Sequence, residues 1–135
     1  MAERVIIPED LKGELKQNMN NLIKFFQEEG CLVIEILLEK LDLFETPNVL
    51  ADVESAMQSH TSPAVIIDLK NVTTIDSSGI GFLIAIRNNL AKQKVPLMVS
   101  CDSETVTQIF RLTKVNQLIQ IFKTRQEALA SAVKK

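Results

Sequence analysis

The sequence predicts an α/β domain built on a sheet with parallel crossover connections. Three observations lead there. Four near-continuous aliphatic runs, "CLVIEILL" (31–38), "AVIIDL" (64–69), "PLMVSC" (96–101) and "LIQIF" (118–122), have the length and β-branched content of buried strands. Each is followed by a segment whose apolar residues recur at helical spacing. Strands that alternate with amphipathic helices run parallel in one sheet, because each helix carries the chain back across it.

The elements follow in order. Pro8 suits the first turn of a helix, and Leu11, Leu15 and Met19 fall four apart on one face. That pattern extends through Leu22, Ile23 and Phe26 as one long helix ending at Gly30. Gly13 and the cluster Asn18, Asn20, Asn21 are poor helix interior. They favour a helix that stops near Asn20, followed by a strand "LIKFFQE" that turns at "EEG" into "CLVIEILL". Residues 1–20 then form an N-terminal helical extension, and 21–135 the domain. The extension can cover the sheet edge, pair two copies as a homodimer, or pack on its own domain. In "KLDLFETPNVLADVESAM", Thr46 serves as N-cap, Pro47 as first helical residue, and Val49, Val53, Ala56 and Met57 as the buried stripe. A helix over 80–93 and one over 103–112, capped by Ser103 or Asp102, follow. The last, "TRQEALASAVKK", opens with Thr124 and Glu127 at capping-box spacing.

Composition bounds the function. With 15 basic against 17 acidic residues the net charge is −2, which gives no electrostatic case for nucleic acid or an anionic membrane. Trp and Tyr are missing as platforms for stacking bases. No apolar run is long enough to span a bilayer, and "MAERVIIPED" carries no signal-peptide pattern. A cytoplasmic location is expected. Cys31 and Cys101 sit at the ends of apolar runs, as small buried hydrophobes do. The single histidine, His60, has no clustered partners for zinc or for base catalysis. No metal or cofactor and no enzymatic activity is expected.

The informative stretch is "TTIDSSGIGF", 73–82. Asp76, Ser77, Ser78 and Gly79 stand between a strand-plus-loop and a helix. In the plain structural reading, Ser77 or Ser78 only caps that helix. A nucleophilic serine would need a base and an oxyanion hole, and the G-x-S-x-G elbow is not matched. A Walker-type phosphate loop would need a lysine that does not follow. A phosphoacceptor remains: a serine at a helix N-terminus is exposed, and that end tolerates added negative charge. Phe82 and Ile86, off the face formed by Ile80, Leu83, Ile84 and Leu90, make either a partner-docking stripe or a surface packed under a neighbouring helix or the N-terminal extension.

"VIIDLKNVTTIDSSGIGFLI" resembles the central segment of STAS domains, particularly bacterial anti-sigma factor antagonists, with Ile80 in place of a leucine. "EKLDLFET" is similar to the family's G-x-L-D turn, with Asp42 at the Asp position and Glu39 or its neighbour replacing the glycine. The likeness runs from about residue 22 to the C-terminus. It implies a mixed sheet of four to five strands with about four helices mainly on one side. It implies phosphorylation of Ser77 by an anti-sigma factor serine kinase, with Asp42, Asp76, Ser78 and Gly79 as neighbours of the phosphosite. A metal-dependent serine phosphatase of the PP2C type would reverse it. The unphosphorylated form would bind the kinase and free the sigma factor. Two other classes stand beside this: a constitutive STAS scaffold subunit of a signalling or lipid-transport complex, and a module that binds a small ligand or nucleotide at the same helix end.

Overall fold

The computed structural model describes residues 22–60 and 62–133. The helix expected over 9–19, and the extension it belongs to, lie outside the described residues. The chain then enters a hairpin. Strand β1 (Ile23–Glu28) pairs antiparallel with β2 (Cys31–Ile36), in the register Ile23 to Ile36 and Glu28 to Cys31. The turn between them is two residues long. Glu29 (φ 52°) and Gly30 (φ 81°) are both left-handed, as a type I′ turn requires, and glycine takes its place without strain. The hairpin reading, rather than one long helix, holds.

From β2 onward the sheet is parallel, with β4 (Val65–Asp68), β6 (Leu97–Ser100) and β7 (Gln120–Phe122) added in turn. The spatial order is β1-β2-β4-β6-β7. The crossovers are α1 (Thr46–Ser59), α2 (Ser77–Ala91) and α3 (Glu104–Thr113), and α4 (Arg125–Val133) follows β7. A two-residue ladder, β3 (Lys40–Leu41) with β5 (Thr74–Ile75), stands apart from the main sheet.

Strand alternation divides the core in two. On one face Leu32, Ile34, Ile36, Val65, Ile67, Leu97 and Val99 meet the stripes of α1, α2 and α3, including Val53, Leu83, Ile86 and Phe110. On the other, Cys31, Val33, Ile66 and Met98 meet Ala128 and Leu129 of α4. The sheet is thus mixed, with three helices on one face and one on the other. At the carboxyl end of the strands this second face turns polar. Arg125 Nη1 donates to the buried carboxylate of Asp68 at 3.3 Å and holds its guanidinium over the Phe26 ring. Arg125 Nε lies 3.2 Å from Glu28 Oε1, an ion pair whose angle is not that of a hydrogen bond. These contacts tie the first turn of α4 to β1 and β4.

Two local expectations change. The N-cap of α1 is Glu45, with no side-chain cap bond. Thr46 is already helical and buried, and its N–H donates to the Asp42 carbonyl at 2.9 Å. Met57 is half-buried at the margin of the stripe. The cap at Ser103 stands, with its hydroxyl accepting from Val106 N–H at 3.3 Å. Thr124 accepts from Glu127 N–H at 3.1 Å, while the Glu127 carboxylate reaches back to the N–H of Lys123 rather than that of Thr124.

Both cysteines are buried and unpaired. Burial pushes the Cys31 thiol up, and Glu29 adds to the shift. Burial likewise pushes up Cys101, a hydrogen bond with the Ser103 backbone works against it, and Asp102 and Asp68 add to it. Neither carries the depressed pKa of a reactive thiol.

Candidate functional site

The β3–β5 ladder builds the site. After β4 the chain is pinned by Asn71, whose Nδ2 donates to the Ile36 carbonyl (3.1 Å) and to Glu35 Oε2 (3.0 Å). Thr73 N–H then donates to the Glu39 carbonyl at 2.8 Å. Those bonds bring Thr74 and Ile75 beside Lys40 and Leu41, in register Leu41 to Ile75. The next residue on each strand is an aspartate, Asp42 and Asp76. Parallel pairing therefore sets two acids of distant sequence about one strand spacing apart, roughly 4.8 Å between backbones.

Each aspartate organises a turn. Asp42 Oδ1 accepts from Phe44 N–H at 3.1 Å, and its carbonyl accepts from Glu45 and Thr46. Asp76 does more. Its Oδ1 accepts from Ser78 N–H (2.9 Å) and Gly79 N–H (3.1 Å), and its Oδ2 accepts from Leu43 N–H (3.1 Å). Asp76 is therefore the N-cap of α2, and one carboxylate joins that helix end to the β3–α1 turn. The expectation that Ser77 or Ser78 supplies the cap is corrected. Asp and Ser cap about equally well, and the residue that precedes the helical dihedrals takes the role. Ser77 is the first helical residue and is exposed; Ser78 is half-buried. Among the described residues neither hydroxyl makes a hydrogen bond.

Gly79 is buried where α2 crosses the ladder. A Cβ there would sit 2.6 Å from the Leu41 carbonyl oxygen and collide with Ile75. The structure thus brings Asp42, Asp76, Ser77, Ser78 and Gly79 to one place. It does not expose Phe82 and Ile86, which are 3% and 0% accessible. With Gly79, Leu83 and Leu90 they form the buried face of α2, packed toward the sheet and α1. As a partner-docking stripe they are ruled out, while Ile80 and Ile84 are half-buried at its margin.

An exposed apolar surface lies instead on the turn tied to the α2 cap, and it was missed. Leu43 is 63% and Phe44 82% exposed, on the turn that Asp76 holds. Two large apolar residues directly after Asp42, ahead of a proline-started helix, were the signal available in the sequence.

Replacing Asp76 by alanine should cost about 1–2 kcal/mol in urea unfolding, as expected for a lost N-cap that also orphans a neighbouring N–H. Asp76→Asn keeps one acceptor, so the α2 cap survives and only the tie to Leu43 is lost. It should cost less than half as much; equal losses would show that the Leu43 bond, not the cap, carries the stability.

Fold and site together define a small mixed α/β domain that presents one helix N-terminus, with an acid cap and a free hydroxyl, beside an exposed apolar turn. The family model of the STAS domain matches residues 23–128, and the chain belongs to that family. It is 27% identical over 112 residues to an anti-sigma F factor antagonist of Paenibacillus polymyxa, across 82% of this chain and 94% of that protein. Among solved structures it is similar to an anti-sigma-factor antagonist (STAS) domain protein from Planctomyces limnophilus (TM-score 0.74, 23% identity, covering 82% of this chain and 97% of that one). It is also similar to the phosphorylated form of the Bacillus cell fate determinant SpoIIAA (TM-score 0.56, 19% identity, 81% and 97%). At these identities the two structures establish a shared fold. Among the described residues no helix is long and apolar enough to cross a membrane, and no three metal-binding side chains gather into a site.

Proposed function

We propose that this STAS domain is an anti-sigma factor antagonist acting in the cytoplasm, switched by phosphorylation of Ser77. The observation that carries the reading is the division of labour at the start of α2. Asp76 caps the helix, so the exposed Ser77 hydroxyl is not needed for the fold. It is available to a kinase, and its modification leaves the cap intact. The partner is an anti-sigma factor that is also a serine kinase, and a serine phosphatase of the PP2C type restores the bare hydroxyl. This chain acts as substrate and switch rather than as catalyst.

Leu43 and Phe44 replace Phe82 and Ile86 as the apolar contact. They sit on the turn whose Leu43 N–H is held by Asp76, the residue before Ser77, with Asp42 and Glu45 on either side in the chain, so the fitting partner surface is an apolar pocket with a basic rim. A partner seated on Phe44 must also cover Ser77. Bare, the hydroxyl is cheap to desolvate; phosphorylated, it carries a charge of about −1.5 to −2 that a closed interface must strip of water.

The direct test is intact-mass spectrometry of the protein from its native cells, with peptide mapping of any species heavier by one phosphate. The reading requires the phosphate on Ser77 and its loss in Ser77→Ala. If Ser77 stays bare in growth and stress alike, the domain is a constitutive scaffold instead. Phe44→Ala should weaken kinase binding about tenfold or more, roughly 1.4 kcal/mol, while stability changes by less than about 0.5 kcal/mol. Unchanged affinity would remove the Leu43–Phe44 turn from the interface.

A further inference from the structure

Away from Ser77, on the α4 face of the sheet, an apolar groove of about 390 Å³ opens at the amino ends of the parallel strands. Its walls are Cys31, Pro63, Ala64, Met98 and the last residues of α4, Ala132 and Val133, with Glu29 at its rim. It lies where α4, described as far as Val133, packs over β4, β6 and β7. Val133 is left 55% exposed.

We propose that residues 1–21 of this chain fill the groove, running back along β1 on the α4 face. Three observations point to that occupant. The first is position and length. The segment joins the domain at Leu22, whose carbonyl accepts from Leu37 N–H, at the opposite edge of the sheet from the groove. To arrive there it must run back past the six residues of β1, about 20 Å. A helix from Pro8 to Met19 is about 18 Å long and spans that distance. The second is pattern. Leu11, Leu15 and Met19 repeat every four residues, so such a helix has one apolar stripe to bury, and the groove is the apolar recess at the end of its route. Leu11 and Pro8 come level with Cys31, and Leu15 with Phe26, which is half-buried on that face. The third is charge. Lys12 and Lys16 flank the stripe on one side, and the exposed acid Glu29 stands at the β1 end of the route.

The occupant is therefore a segment of the same chain, and the proposal is independent of what Ser77 does. The test uses the full-length protein. The chain has no Trp or Tyr, so Leu11→Trp introduces a single fluorophore. Docking predicts blue-shifted emission and acrylamide quenching at least about threefold weaker than in a peptide of residues 1–21 with the same change, at every protein concentration. Adding Val133→Asp, at an exposed wall position, should return quenching to the peptide value. In parallel, hydrogen exchange of the unlabelled chain should quicken at residues 31–33 and 129–133 when Leu11 and Leu15 are both changed to Asp. Three results overturn the proposal. They are a fluorophore as accessible as in the peptide, burial unaffected by Val133→Asp, and burial that rises with concentration alongside a doubled light-scattering mass, which would assign the segment to a second copy.

Discussion

Phosphorylated Ser77 is expected to bind the kinase partner at least about a hundredfold more weakly than bare Ser77, a loss of roughly 2.7 kcal/mol. Titration calorimetry with each anti-sigma-type serine kinase of the source organism would measure it, with Ser77→Ala retaining the affinity of the parent. The expectation rests on where the charge arrives. Ser77 is exposed at the first helical position, next to Asp76 and across the ladder from Asp42. The helix end itself favours negative charge, so α2 should not unravel, and the melting temperature should hold or rise slightly. Weakened binding with an unchanged melting temperature means the switch is a surface effect. Weakened binding with a fallen melting temperature would mean that the modification disrupts the Asp76 cap instead. Ser77→Glu supplies one charge and fewer oxygens, so it should reproduce only part of the loss. Equal affinity of the phosphorylated and bare forms would sink the mechanism.

The largest stability effect should come from a single methyl group at Gly79. Gly79→Ala places a Cβ against the Leu41 carbonyl oxygen and the Ile75 side chain. The side chain could turn aside, but the carbonyl is backbone in the β3–β5 ladder and cannot. Relief requires the start of α2 to lift from the ladder, which also stretches the three bonds to Asp76. Overpacking of this kind typically costs 1–3 kcal/mol, and here about 3 kcal/mol is expected in urea melts. Gly81 is the control, two residues on in the same helix, where an added Cβ meets nothing within 4 Å. Gly81→Ala should be neutral or stabilising by up to about 1 kcal/mol, the ordinary gain of alanine over glycine in a helix. If the two substitutions behave alike, the crossing of α2 over the ladder leaves room for a methyl group at position 79.

The contrast shows what sequence patterning can resolve. The strand–helix alternation was legible because β2, β4 and β6 are aliphatic runs followed by helical spacing, and the hairpin because Gly13 and the asparagines argue against one long helix while "EEG" marks the turn. The β3–β5 ladder was not, since two residues have no period and their partners lie far apart in the chain. That ladder decides which groups form the site. Choosing Asp76 over the serines as cap needs backbone dihedrals, because the residue types compete evenly. Phe82 and Ile86 were misplaced for a related reason. Helix α2 is apolar around more than half its circumference, so a wheel cannot tell which stripe faces the sheet. The buried set Gly79, Phe82, Leu83, Ile86 and Leu90 is fixed by the sheet and by α1, which packs against α2. The residues of the DSSG turn were placed by the family likeness, and the local pattern alone left them as a cap.

The direction of α4 has a practical corollary. It starts at the carboxyl edge of the sheet, by Arg125, and finishes at the amino edge, where Val133 stands with Glu29, Pro63 and Pro96. Ser77 lies at the carboxyl edge. Whatever is joined after Val133, an affinity handle, a fluorescent protein or a second regulatory module, emerges on the far side of the domain from the Ser77 turn. Attachment there keeps clear of the Ser77 turn, so a surface-immobilised sample should be tethered by its C-terminal end.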